Sequence, residues 1–415
     1  MTPYLRERTL YPPQIDAPPS PALGLVVVIP AYEEPELTDS LAALSDCTPP
    51  DCDVEVIVVI NEPEDASEVT VAHNREIAAI ARRWAEQQQR QGFRCFILHH
   101  RLPPKHAGVG LARKIGMDEA CRRLEQAGHS DGIIACFDAD SRCDVNYLQA
   151  LEAHFFAHPE CPACSIYFEH PLEGDDFAPE VYDAIVQYEL HLRYYIQIQR
   201  WVGFPHAFHT VGSSMAVRCS AYQQQGGMNR RKAGEDFYFI HKFTPLSGFA
   251  ELNATRVIPS PRPSYRVPFG TGRAVQEMMA GDGAYRSYHP LSFAELRIFL
   301  KRLPDFYGGA ITQLEQLIFP PWLLTFLQDQ HFNEKLAEIR LHSTTSETFC
   351  DRFFRWFNAF MVMKYVHFVR DQGRDDLPTE EAAAWLLPTT QGRTGGGNAR
   401  ALLAQFRQVD RNTVV

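Results

Sequence analysis

The chain has 415 residues, 45% of them hydrophobic, enough to bury a sizeable core and to fill two packed units. Its formal net charge of -11 excludes the broad basic surface on which nucleic-acid binders depend, so an anionic ligand must find locally placed cations or a metal. The ten cysteines are scattered and no secretory signal precedes them, which is the pattern of reduced thiols in a cytoplasmic protein.

In chain order, a Pro-rich head to about residue 24 gives way to a short β-branched run, Leu25-Val-Val-Val-Ile29. The same character returns at 54–60, 95–98 and 133–137, and these four runs are expected to be buried strands. Helical patterns at 69–91 and 111–126 separate most of them. The order strand, helix, strand implies an α/β fold with a doubly wound sheet, whose ligands bind beyond the carboxyl ends of the strands. The residues just after each run are therefore the first candidates for ligand contact.

Pro30-Ala-Tyr-Glu-Glu34 follows the first strand and Asn61-Glu62-Pro63 the second; each is also an ordinary polar turn. Gly108-Val-Gly-Leu-Ala-Arg113-Lys114-Ile-Gly116 sets two cations near a helix start, where anions are favoured. A helix start with surface Arg and Lys fits it equally, and the glycine spacing of a dinucleotide fingerprint is missing. The fourth strand runs out into Asp138-Ala-Asp140, two carboxylates that point the same way at extended spacing. Hard cations such as magnesium or manganese prefer oxygen ligands and bridge one or two carboxylates to phosphates. Apposed, poorly solvated carboxylates repel unless a cation or proton intervenes. Cys161-Pro-Ala-Cys164 has metal-clip spacing, but no second pair follows to complete a zinc site.

Taken together and in this order, these features resemble the family 2 glycosyltransferases of the GT-A fold, over roughly residues 25–242. The resemblance implies a doubly wound mixed sheet that binds a nucleotide-diphospho-sugar. On the matching positions, Pro30, Ala31, Tyr32, Glu33 and Asn61 hold base and ribose, while Gly108 and Arg113 support the nucleotide. The family's metal motif falls on Asp138 and Asp140, with manganese or magnesium as the implied cofactor. Further on, His209-Thr-Val-Gly212-Ser-Ser-Met-Ala-Val-Arg218, Gly226-Gly227-Met228 and Gly234-Glu235-Asp236 look like its acceptor-side strand, glycine loop and Glu-Asp motif. Asp236, with Glu235 beside it, is then the base that takes the proton of an unidentified acceptor hydroxyl, and a single displacement inverts the anomeric centre. Asn61-Glu62 departs from the acidic second turn of many members, and Ser260-Pro-Arg262 stands where some related enzymes place a metal-binding His.

Glu235 and Asp236 are also good helix-start residues for a helix over 237–243. The stretch from Ser260 to Arg273, with Arg262, Arg266 and Arg273 among glycines and prolines, fits either a loop closing over phosphates or a linker. The aromatic helix at 181–201 fits a sugar-stacking face or ordinary core. From about residue 274 the pattern is helical, with apolar stripes at 293–303, 314–327 and 349–369. The expected partition is a head at 1–24, a catalytic domain at 25–273, a helical unit at 274–387 and a Gly-containing tail at 388–415. The aromatics Phe353, Phe354, Trp356, Phe357 and Phe360 exceed what one exposed helix face carries, which points to packing on the catalytic unit, a covered acceptor site or a homodimer seam. No apolar run reaches the roughly 18 residues of a spanning helix. Two other readings stay open: a nucleotide-sugar-binding protein without catalysis, and a nucleotidyltransferase, which lacks here its Gly-rich basic loop after the first strand.

Overall fold

The computed structural model describes residues 2–88, 90–266, 270–281, 283–391 and 397–413. The chain forms two compact units that are not contiguous in sequence: Met1–Phe177 with Thr210–Gln276 and Asp410–Val415, and Ala178–His209 with Glu277–Val409. The helix Pro179–Val202, which the sequence partition places inside the catalytic block, therefore belongs to the second unit. The glycines Gly395 and Gly396 of the tail lie outside the described residues.

The first unit is the expected mixed α/β sheet. Its eight strands are β1 (Leu23–Ala31), β2 (Asp53–Pro63), β3 (Phe93–Leu102), β4 (Ile133–Cys136), β5 (Arg142–Cys143), β6 (Ala163–Phe168), β7 (Met215–Arg218) and β8 (Ala250–Ile258), in the order β3-β2-β1-β4-β7-β6-β8-β5. β1 pairs in parallel with both β2 and β4, whereas β7 runs antiparallel between β4 and β6. The β-branched runs of β1 and β2 are almost wholly buried, as strands covered on both faces must be. The chain leaves β1 toward β2 on one side and returns from β3 to β4 on the other. A crevice thus opens beyond the carboxyl ends of β1 and β4, the topological switch point at which such sheets take ligands.

The helix Val109–Ala127 makes that return. Gly116 lets it lie close on the sheet, because a Cβ there would stand 2.5 Å from Val28 Cγ1. Its opposite face is covered by the head, which is not the loose segment its prolines suggest. Tyr4 is 7% exposed and donates to Asp118 (2.7 Å), Glu119 accepts from the amides of Gln14 and Ile15 (both 3.2 Å), and Arg123 donates to Ala17 O (2.9 Å). Buried charges on this helix are acceptable because each is paired or hydrogen-bonded.

In the second unit the stripe expected at 314–327 is interrupted. Pro320 and Pro321 cannot continue a helix from its interior, so a short 3-10 turn, Leu314–Gln316, precedes the helix Pro321–Asp329. The stripe at 349–369 is likewise two helices, Ser346–Trp356 and Ala359–Asp371, because Asn358 caps the second by accepting from Phe360 and Met361 amides (3.0 and 3.2 Å). Much of the aromatic excess is taken up within this unit, although Phe360 is 37% exposed. Phe353 and Phe357 are fully buried against Phe299, and Phe306 and Phe332 complete the cluster. Among the described residues no helix is long and apolar enough to cross a membrane.

Candidate active site

The turn after β1, the turn after β4, the start of the helix Glu235–Ile240 and the segment after β8 meet at the switch point, joined by Arg113 to Asp138 and Glu235 and by Arg262 to Glu34 and Asp140. Asp138 and Asp140 follow β4, with Ala139 between them buried. Arg113, one turn inside the helix Val109–Ala127, is 2% exposed. One guanidinium nitrogen donates to Asp138 Oδ1 and the other to Glu235 Oε1. The reading of Arg113 as a surface cation is thus corrected: it is the buried tie between the metal-motif carboxylate and the Glu-Asp motif. Burial opposes its charge, but Asp138 and Glu235 outweigh that and raise its pKa.

The glycines here serve chain packing. A Cβ on Gly212 would lie 2.6 Å from the Arg113 guanidinium, one on Gly110 2.3 Å from Arg231 O, and one on Gly108 3.0 Å from Lys232 Cα. The close approach at Gly108 and Gly110 is made to the 231–235 segment. That approach brings Glu235 over the helix start.

Glu235 and Asp236 separate in environment. Glu235 is 3% exposed and bound to Arg113; burial raises its pKa to about 7, Arg113 opposing and Asp236 adding to the rise. Asp236 is half-buried, its Oδ1 accepting from the Phe237 amide at 2.7 Å; burial raises its pKa too, against Arg113 and that amide. Gly234 precedes them at φ 67, a left-handed turn that glycine enters without strain.

Pro30 and Ala31 stay buried at the end of β1. Glu33 has φ 50, unusual for a residue with a Cβ, and its amide donates to Asn74 Oδ1 (2.9 Å). Asn74, fully buried, donates in turn to Glu62 Oε2 (2.9 Å), which His99 Nε2 also meets at 2.7 Å. Asn61 is 4% exposed, deeper than the polar turn expected of it. Tyr32 is half-buried, its pKa raised by burial and by Glu33.

Two residues absent from the sequence assignment join this site. Glu34 is 7% exposed and accepts from both Arg262 and Arg266. Arg262 also donates to Asp140 Oδ2 at 3.3 Å, and Arg266 to Tyr32 O at 2.7 Å. The cation-rich character of 260–273 was the available signal for Arg262; nothing local distinguished Glu34 from Glu33. Burial raises Asp140 to about 7, with Glu34 and Asp138 adding to the rise and Arg262 and Arg266 opposing it. Arg273 is half-buried in the helix Thr271–Ala280, and residues 267–269 lie outside the described residues. Cys161 and Cys164 are buried, and all ten cysteines are free.

No protein-family model and no curated protein matches the chain. Among solved structures it is similar to S. aureus TarS 1-349 in complex with UDP-GlcNAc, at 13% identity over 94% of this chain and 90% of that one, with a TM-score of 0.39. It is also similar to the mannosyltransferase PcManGT from Pyrobaculum calidifontis in complex with GDP-Man and Mn2+, at 16% identity over 95% and 89% of the two chains and a TM-score of 0.34. Likeness this distant says nothing of chemistry, so the functional reading rests on the site.

Proposed function

We propose that the first unit is an inverting glycosyltransferase that takes a nucleotide-diphospho-sugar donor and passes the sugar to an acceptor hydroxyl. The observation that carries this reading is the Arg113 tie, which joins Asp138 after β4 to Glu235 and so brings the Asp138–Asp140 pair and the half-buried Asp236 to one switch-point crevice. One carboxylate pair suits a diphosphate held through a cation, and one separate, reachable carboxylate suits a base. The motif resemblance points the same way.

Among the described residues no three His, Cys, Asp or Glu side chains converge on a metal site. The donor set nevertheless fits a hard divalent cation that arrives with phosphates, since such ions keep waters and need one or two carboxylates. Asp138 Oδ2 and Asp140 Oδ1 accept no hydrogen bond among the described residues. The carboxylates of Glu34, Asp138, Asp140, Glu235 and Asp236 also outnumber the guanidiniums of Arg113, Arg262 and Arg266 by two. Manganese or magnesium held by Asp140 and Asp138 would supply neutralisation of the charge that develops on the leaving diphosphate.

The chain's own residues do the rest. Arg113 holds Asp138 and Glu235 in register, and Arg262 and Arg266 brace Glu34 across the crevice mouth. Backbone at Pro30 and Ala31, with Tyr32 and the Glu33 turn, forms the wall suited to base and ribose. An acceptor hydroxyl has too high a pKa to ionise first, so Asp236 takes its proton as the bond to the sugar forms. Attack opposite the leaving diphosphate inverts the anomeric centre.

The test is Asp236→Asn, which keeps shape and removes the basic oxygen. Donor binding is expected to persist by calorimetry while transfer falls on the order of 100-fold to 10,000-fold. Nuclear magnetic resonance of the first product from the unaltered chain should show the anomeric configuration opposite to the donor's. Near-native turnover by the variant, or retention in the product, refutes the assignment.

A further inference from the structure

Two cysteines far apart in sequence meet in the first unit. Cys47 follows the helix Leu37–Ser45, and Cys143 ends β5, three residues past Asp140; their sulfurs are 3.7 Å apart. The segments that carry them are held together independently, by the Thr48 amide donating to Val145 O at 2.7 Å. Both thiols lie against the end of the same helix, with Ala43 O 3.3 Å from Cys47 Sγ and 3.9 Å from Cys143 Sγ.

The two sulfurs differ in state and in access. A hydrogen bond from Cys143 and, against burial, the amides of Leu148 and Tyr147 at the start of the helix Tyr147–Ala157 lower the Cys47 pKa. Such surroundings favour the thiolate, the form that reacts. Cys47 is 3% exposed while Cys143 is half-buried. Cys121 and Cys219 also interact, but both are fully buried, and burial raises the Cys121 thiol well above its ordinary value.

We propose that Cys47 and Cys143 form a peroxide-sensitive dithiol that closes to a disulfide, a modification site three residues along the chain from Asp140. The Cys47 thiolate attacks hydrogen peroxide, breaking the O–O bond and becoming a sulfenic acid. The hydroxide released takes up the thiol's proton and leaves as water. Cys143 sulfur then displaces the sulfenic hydroxyl, which leaves with the Cys143 proton as a second water. Two thiols are oxidised, one peroxide is reduced and one S–S bond forms. The link ties the helix that follows the Glu33–Glu34 turn to the strand that follows Asp140, and it closes a long loop, which constrains the unfolded chain. It is independent of the reaction proposed for the crevice.

The experiment treats the full chain with hydrogen peroxide, blocks free thiols and maps peptides without reduction. The expected result is a Cys47–Cys143 linked peptide two hydrogens lighter than its parts, a thermal midpoint raised by a few degrees, and reversal of both by dithiothreitol. In Cys143→Ser, Cys47 should persist as a sulfenic acid trapped by dimedone. Oxidation of Cys47 to sulfinic acid with Cys143 still free to alkylate overturns the proposal, as does linkage confined to other cysteines or a midpoint lowered by the link. The peptide map of the unaltered chain decides even if the variant folds poorly.

Discussion

Replacing Arg113 by Met keeps most of the side chain's length inside the first unit and removes its charge. Glu235, whose side chain is 4% exposed, then stands beside Asp236 without a cation; Asp138, at 35%, keeps water as a partner. Breaking a buried pair from one side costs about 3–5 kcal/mol when the remaining group stays charged, but Glu235 can hold a proton instead, so the loss is limited to about 1.4 kcal/mol at pH 8, one unit above its native pKa of about 7, with little assigned to the solvated Asp138. The loss should depend on pH. Glu235 already has a folded pKa of about 7, above its ordinary 4.5, so the stability linked to its protonated form is fully present below about 4.5 and lost as pH rises through 7. Without Arg113 that pKa rises further. The variant is therefore expected to lie near the native protein at pH 5.5, where Glu235 is protonated in both, and to fall behind it from pH 7 to 8. Urea unfolding across this range, with Arg113→Met, Glu235→Gln and the double variant, measures it. The double variant should recover most of the loss at pH 8. A penalty that is flat with pH, or one that Glu235→Gln does not relieve, would refute the view of Arg113 as counter-charge to Glu235.

Asp140→Ala should abolish manganese-dependent nucleotide binding without unfolding the chain; equal donor affinity with and without manganese, matching the native protein, sinks the metal role. Asn74→Ala removes the acceptor that holds the Glu33 amide at φ 50 and the donor to buried Glu62. It should destabilise by about 1–3 kcal/mol in urea unfolding and weaken nucleoside diphosphate binding by calorimetry more than it slows transfer at saturation. Asn358→Ala uncaps the helix Ala359–Asp371 at a cost of about 1 kcal/mol in urea unfolding, and donor affinity should not change.

The sequence by itself determined the first four strands of the sheet and the helices between most of them. The β-branched runs at 25–29 and 54–60 are legible because a strand covered on both faces needs apolar side chains throughout, and Asp138-Ala-Asp140 is legible because two acids ending such a run cannot be core. Only the tertiary structure decided which charges belong together. Arg113 and Lys114 read equally well as a solvated helix start, and the head that buries Lys114, Asp118 and Glu119 comes from residues 4–15, about a hundred positions away. Glu235 meets Arg113 across 122 residues and Glu34 meets Arg262 across 228. A carboxylate's role depends on the desolvation and counter-charge around it, which distant segments supply; local sequence therefore identifies the acids but cannot say which becomes a buried anchor and which stays open to act.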